Sequence, residues 1–491
     1  MGSNRKAFKQ LFFMMMLTLI TQLVTLIKLS VTASNFGATV EMDAFNFSNS
    51  IGTFIFSFIG MGVTTVLIPA LVNKTSKRSI NNFITILYIL CIILVIVVVV
   101  FRVPIITLFS NGSSEFVKIA ASLMLITMVS QFSGTMLGVV NAHFQCVDKF
   151  NIPKVMTLIT TIALTALVYL NKDLTIHEYA FYILITCVLE VILSFFFAWK
   201  TGFTYKPVVD FKDENMKSMT RVFLPTVVST GVYQITLLTD SLISSSLGTG
   251  QISRLTYSNS IVSMINLLFI KNLMTYIYPK IAKSVREEDG QNKLFQFMVF
   301  FNAIVFVLVV GFMAVGKEGI KILYEGGKFT PDVTKDVYIC TMIYIIGVPT
   351  NLMRDIIYRY FYAKGDTKTT LYNSVTASVL NFVLSIILAK FIGVYGVVLG
   401  TVITSFFSLT TITIRFKNKF TMNFDKKFVI KENLKIVFSC LISMFVVYLI
   451  KRKFPIEQPV ISLIIYGIIV CIIYGIFLIL LKTKAHKVRL D

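Results

Sequence analysis

Long apolar runs of about 20 residues, separated by short polar joints, govern what this chain can become. Residues 83–101, FITILYILCIILVIVVVVF, carry no charge at all. Inside hydrocarbon such a run must satisfy its backbone N–H and C=O groups internally, which a helix does. Counting the runs gives about fourteen membrane helices, with centres near Leu19, Val95, Val129, Phe306, Ile346, Ser443 and Cys471 among others. Composition agrees, since 56% of the 491 residues are hydrophobic and only 14% are charged, against about 25% charged in soluble domains. The expected class is an all-α polytopic membrane protein.

The formal net charge of +22 does not signal nucleic acid, because most Lys and Arg residues fall in clusters between the runs. Basic joints at 73–82, 200–221, 280–293 and 415–435 alternate with joints such as 35–43 that lack Lys and Arg. This is the positive-inside pattern of a multi-pass protein. With an even number of spans it places both termini in the cytoplasm. Two basic joints fall on the expected outer side, KEGIKILYEGGKFTPDVTK and KRKFP. The first reads as an amphipathic segment lying on the membrane. The run from Leu11 to about Val31 is too long for a signal-peptide core and is read as the first span. Six scattered Cys and three His residues support neither a disulfide framework nor a metal cluster. P-loop, nucleophile-elbow and HExxH patterns do not occur, so the chain is read as a transporter and not an enzyme.

An internal duplication organises the runs. Ser48-Asn49-Ser50-Ile51 recurs as Ser258-Asn259-Ser260-Ile261, and Pro69 recurs as Pro279, both 210 residues apart. Further along, His143-Phe144 ahead of DKFNIPK matches Tyr360-Phe361 ahead of KGDTKTT. Duplicated bundle halves with a site between them are a common transporter plan. The expected organisation is two pseudo-symmetric six-helix lobes, 1–200 and 217–415, joined by a cytoplasmic linker at 201–216. A segment at 416–491 adds two helices that either line a groove for an apolar substrate tail or serve packing.

Charge inside the runs marks the candidate site, because a Lys, Arg or Asp near the bilayer centre costs about 3 kcal/mol and usually faces a protein-lined cavity. Lys28, Arg254, Lys271 and Arg354 would give such a cavity a positive field. Lys28 and Arg254 lie near helix ends and have snorkelling to the headgroups as an alternative. Lys271 is too deep for that. Arg354 and Asp355 point about 100° apart on a helix, which argues against a simple pair and leaves a bond to another helix as the alternative to a cavity role. Asp43 is either functional or the N-cap of the second helix. Asp240, in mid-helix, reads as a cation or proton site, whereas Glu190 and Arg102 read as interfacial.

Several stretches carry a family resemblance: FGATVEMDAF, DSLISSSLGTGQISRLTYSNS, ILYEGGKFTPD and IIGVPTNLMRDIIYRYFYAKGDTKTTLY. Over roughly residues 8 to 415 the chain resembles the MurJ (MviN) lipid II flippases of the multidrug/oligosaccharidyl-lipid/polysaccharide exporter superfamily. The resemblance places the family's functional aspartate on Asp43, a cavity arginine on Lys28 and a turn serine on Ser253. It also implies a sodium site at Asp240, Asn381 and Thr401, with Ser385 where a second acidic ligand is found in the family. Three further cavity arginines are replaced, by Gln22, by a residue near Phe56 and by Ser260.

The function the resemblance implies is outward flipping, in the inner membrane of a bacterium, of a polyprenyl-diphosphate-linked cell-wall precursor of the lipid II type. The lobes would rock about the linker in alternating access, driven by an ion gradient (Na+ or H+) or the membrane potential, with no other cofactor. The substitutions keep a flippase for O-antigen, capsule or teichuronic-type lipid-linked glycans as an alternative; a drug/cation antiporter suits the basic site less well. Membrane lipids and cell-wall synthesis enzymes are the expected partners.

Overall fold

A computed structural model describes residues 2–72, 75–110, 112–171, 173–271, 290–420 and 426–483. The helices are α1 (Gly2–Phe36), α2 (Val40–Val72), α3 (Lys77–Val100), α4 (Arg102–Phe109), α5 (Ser114–Cys146), α6 (Asn151–Leu170), α7 (Ile176–Lys200), α8 (Glu214–Ser245) and α9 (Gln251–Ile265). They continue with α10 (Gly290–Tyr324), α11 (Pro331–Ala363), α12 (Thr367–Ile392), α13 (Val394–Lys419), α14 (Lys426–Lys453) and α15 (Pro459–Leu480). Among the described residues strand pairing is confined to an isolated bridge, Gly326 to Phe329. Among the described residues twelve helices are long and apolar enough to span a membrane, so the expected count of about fourteen is met only in part. The shortfall falls on α8, which is long but polar, and on α9, which leads into residues 272–289 outside the described set. Pro279 lies there too.

The chain divides into two compact units, Met1–Ser253 and Arg254–Asp491. In the first, α2 packs on α5 and α8, α5 on α7, and α1 on α6. A Cβ at Gly138 would stand 3.2 Å from the Gly60 carbonyl oxygen, so glycine lets α2 and α5 approach backbone to backbone. In the second unit α13 packs on α11 and α12, and α10 on α11, α14 and α15. Its core holds a cluster of edge-on rings around Phe416, including Phe295, Tyr360 and Phe361.

The duplication is visible at the level of single hydrogen bonds. Ser113 caps α5 by accepting from Phe116 N, and Thr330 caps α11 by accepting from Val333 N. Seven residues beyond each cap, the carbonyls of Ala120 and Val337 receive the hydroxyls of Ser48 and Ser258, at 2.9 and 3.2 Å. These are the serines of the repeated SNSI. Both α5 and α11 end in a Schellman turn, with Asp148 (φ 56°) and Gly365 (φ 76°) in the left-handed region. In these turns Lys149 N and Asp366 N each donate 2.9 Å to the carbonyls of Phe144 and Phe361, the phenylalanines matched in the sequence.

The 201–216 linker is docked on the first unit. Asn82 grips the Asp210 backbone on both sides, donating to its carbonyl at 2.6 Å and accepting from its N–H at 2.9 Å. Val208 N donates to the Thr85 hydroxyl at 3.1 Å. Asp213 then caps α8. Burial pushes its carboxyl up, but hydrogen bonds from Ser79, Met216 N, Asn82 and Asn215 N outweigh that and hold it below the usual carboxylate range. Because α8 packs on α2, the division between units falls at Ser253/Arg254 and not at the linker.

The outer basic joints are also built differently from the expectation of a surface-lying segment. KEGIKILY forms the last turns of α10, and a tight turn leads straight into α11. In each of the two joints one lysine has an acidic partner: Lys321 lies 3.7 Å from Glu325, and Lys451 lies 2.7 Å from Glu318.

Candidate functional site

Asp43 lies in the first turn of α2, 2% exposed. Its carboxylate accepts from Gly250 N at 2.5 Å, Ser253 N at 2.7 Å and Ser253 Oγ at 2.6 Å. It therefore caps α9, not its own helix as the N-cap alternative supposed; Met42 N is served instead by Thr39 Oγ1 at 3.4 Å. A carboxylate at a helix N-terminus meets unsatisfied N–H groups and the positive end of the helix dipole. Asn46 adds a donor to Ser253 Oγ at 3.4 Å. The turn that presents these N–H groups depends on Gly250, whose φ is +81° and where a Cβ would come within 2.6 Å of the Ala38 carbonyl oxygen. Asp43 and Ser253 are 210 residues apart, the repeat interval itself, so two equivalent positions of the duplication bind each other. Asp43 borders a cleft of about 220 Å3 whose lining includes Ser113, Ser245, Ser246 and Thr249.

The four proposed cations differ in surroundings. Arg254 pairs with Asp336 of α11 at 3.0 Å, and Tyr395 of α13 donates to the same carboxylate at 2.5 Å. Its charge is matched by a carboxylate, which neither the cavity nor the snorkelling alternative anticipated. Arg354 folds back on its neighbour, with Nε and Nη2 donating to Asp355 Oδ1 at 3.0 and 2.9 Å, and lies 5.6 Å from the Tyr358 ring centroid. The helical-wheel argument against a pair is thus corrected: the arginine stem is long enough to span the 100° between adjacent positions. Lys28 is half-buried on α1. Lys271 is exposed and directly follows a π-helical turn, Asn266–Ile270. Such insertions often mark functional positions.

Asp240 is 4% exposed on α8, beside Ser241, whose hydroxyl meets that of Ser50 at 3.1 Å. In the second unit Asn381, Ser385 and Thr401 gather around one backbone carbonyl. Ser385 Oγ lies 3.5 Å from Asn381 Oδ1 and 3.4 Å from the Val397 oxygen, and Thr401 Oγ1 lies 3.3 Å from that oxygen. All are oxygen donors, the type a hard cation takes. Among the described residues no three His, Cys, Asp or Glu side chains come together.

One further group was misplaced and two were missed. Glu190 lies in the middle of α7 and not near its end, and it accepts from Thr157 at 2.7 Å and Thr160 at 3.1 Å, both on α6. Arg102 sits at the α3–α4 joint and donates to the Val99 carbonyl at 2.9 Å. Asp336 and Tyr395 carry no sequence signal beyond their polarity, whereas the repeat interval already related Asp43 to Ser253.

Comparison with known proteins follows the same lines. The family model described as lipid II flippase MurJ matches residues 32–468. A probable lipid II flippase MurJ of Vibrio cholerae serotype O1 is 24% identical over 419 residues, covering 80% of this chain and 79% of that protein. One from Thermotoga maritima is 23% identical over 465 residues, covering 93% and 94%. Among solved structures, a lipid II flippase MurJ in an inward closed conformation superposes with a TM-score of 0.80 at 24% identity, covering 95% of this chain and 99% of that one. An inward-facing multidrug resistance MATE family transporter gives 0.64 at 14% identity, covering 81% and 96%. This chain belongs to the lipid II flippase MurJ family.

Proposed function

We propose that this chain flips a polyprenyl-diphosphate-linked cell-wall precursor of the lipid II type from the cytoplasmic to the outer leaflet. The observation that carries the reading is the family match across residues 32–468. A diphosphate-sugar head must be shielded over about 30 Å of hydrocarbon, while its prenyl tail stays in lipid. Lys28, Arg254, Lys271 and Arg354 supply positive charge for the diphosphate, the two arginines each beside a carboxylate, Asp336 and Asp355. The cycle is alternating access of the two six-helix lobes, with both termini cytoplasmic, as the basic joints at 73–82 and 200–221 favour.

Asp43 is the latch of that cycle. A helix N-terminus held by one buried carboxylate has two discrete arrangements, bonded or released, which suits a switching contact. Coupling comes from a cation, Na+ or H+, which biases the cycle by binding one state better; Asp240 in the first unit and the oxygen cluster of Asn381, Ser385 and Thr401 in the second are its candidate ligands. Enzymes that polymerise the flipped precursor are the natural partners.

One observation favours a different glycan as cargo. Phe56 is fully buried against Phe132, so that part of α2 offers packing where a cavity cation is found in relatives. Expression in cells depleted of their own lipid II flippase separates the two readings. Rescue of growth and of surface-exposed lipid II, lost with Lys271→Ala or Asp240→Ala, supports the lipid II assignment. Stable expression without rescue assigns the chain to another polyprenyl-linked glycan.

A further inference from the structure

A cleft of about 480 Å3 opens where the start of α12 meets the end of α13. Thr369, Tyr372 and Thr376 of α12 face Arg415, Asn418 and Lys419 of α13 across it. The spacings of three and four residues put each set on one face of its helix.

The cations are held in place by the protein itself. Arg415 Nη1 donates to the Thr369 carbonyl at 3.3 Å, and the Lys419 ammonium sits 2.5 Å from Asp366 Oδ2. Asp366 also accepts from Thr369 N at 3.1 Å and Thr369 Oγ1 at 2.7 Å. Burial pushes its carboxyl up, but the Lys419 and Thr369 donors outweigh this and bring it down to about 2. The rim thus holds two cations and one fixed anion, a net charge of one. A guanidinium has five N–H donors and an ammonium three, so one contact each leaves most of them for an oxyanion.

Next to this polar cleft the two helices present apolar surface along the direction of the span. Tyr372 is 64% exposed, followed on α12 by Val379 at 60% and by Phe382 and Val383. On α13 Ile414 is 52% exposed, with Phe407 and Ile403 further along. Tyrosine at such a boundary sits at the headgroup level. A basic pocket between spanning helices with hydrocarbon-facing walls beside it fits an anionic lipid.

We propose that this cleft binds the headgroup of a phosphatidylglycerol-type lipid, its single phosphodiester between Arg415 and Lys419 and its acyl chains along α12 and α13. The net charge of one matches a monoanion and disfavours the more highly charged diphosphate of a flippase substrate. Placing the lipid in the inner leaflet rests on the orientation proposed above; the chemistry of the cleft does not.

Native mass spectrometry of the full chain, released from detergent containing equal phosphatidylglycerol and phosphatidylcholine of identical acyl chains, tests this without requiring flipping. Wild type retains phosphatidylglycerol over phosphatidylcholine. Arg415→Gln and Lys419→Gln each lower that preference about five-fold, the worth of one basic residue at an anionic surface, while Arg452→Gln, beyond this cleft, leaves it unchanged. Thermal unfolding confirms that each variant is folded, and Tyr372→Ala, which removes the boundary ring without touching charge, serves if a charge variant is not. Equal retention of both lipids by wild type overturns the proposal, as does an unchanged preference in the folded variants. Displacement of the lipid by inorganic phosphate at equal concentration also overturns it, since the site would then read phosphate alone.

Discussion

Replacing Asp43 with asparagine removes the negative charge from a buried carboxylate that serves three donors. The amide can turn one oxygen towards Gly250 N or Ser253 N, but its NH2 group then faces the other donor. Hydrogen bonds to a charged group contribute about 1.5–3 kcal/mol, and an abandoned buried donor costs about 1–3 kcal/mol. These terms overlap, so about 3 kcal/mol is a reasonable net loss, equivalent to roughly 100-fold in the opening equilibrium of the first turn of α9. Hydrogen exchange read by mass spectrometry on peptides covering residues 247–256 measures that opening directly. Asp43→Asn should speed exchange of the Gly250 and Ser253 amides by about two orders of magnitude, with little change at the N-terminus of α5, which Ser113 caps independently. Unchanged exchange at residues 250–253 would refute the assignment of the latch to this carboxylate.

Other substitutions test neighbouring parts of the account. Gly250→Ala should destabilise the α8–α9 turn by more than about 2 kcal/mol, read as a lowered unfolding temperature, because the residue has φ +81° and its Cβ would press on the Ala38 carbonyl. Asp366 titrates near 2 when folded against an ordinary 3.8. Its contribution is therefore complete above the ordinary value and is lost as the pH falls towards about 2. Asp366→Asn should unfold at a lower temperature than wild type at neutral pH, and the gap should close in acid. Glu190→Gln keeps an oxygen for Thr157 or Thr160 and should unfold closer to wild type than Glu190→Leu, which leaves the two hydroxyls only the carbonyls of their own helix; the reverse order would count against a paired role.

Much of the architecture could be read from residue order because membrane helices satisfy their own backbones, so apolar run length alone marks them. The duplication was legible because it keeps the same residues at the same bonds, the hydroxyls of Ser48 and Ser258 and the carbonyls of Phe144 and Phe361. The polar pairings were less so. Asn82 meets Asp210 across 128 residues, and Arg254 meets Asp336 across 82; neither pair has a local spacing to betray it. Arg354 and Asp355 show the opposite difficulty, since direction on a helical wheel ignores how far a long side chain can bend. Glu190 looked interfacial until α7 was seen to run to Lys200. Apolar periodicity gave no help with orientation, as lipid and protein interior are equally apolar.

The central claim is tested most directly with purified protein in liposomes loaded with lipid II on the inner leaflet, scored by its accessibility to a glycan-polymerising enzyme added outside. An imposed ion gradient or potential should raise accessibility well above that of protein-free liposomes, and Lys271→Ala should abolish the increase. Accessibility equal to that of protein-free liposomes, with the chain folded and correctly inserted, would contradict the account.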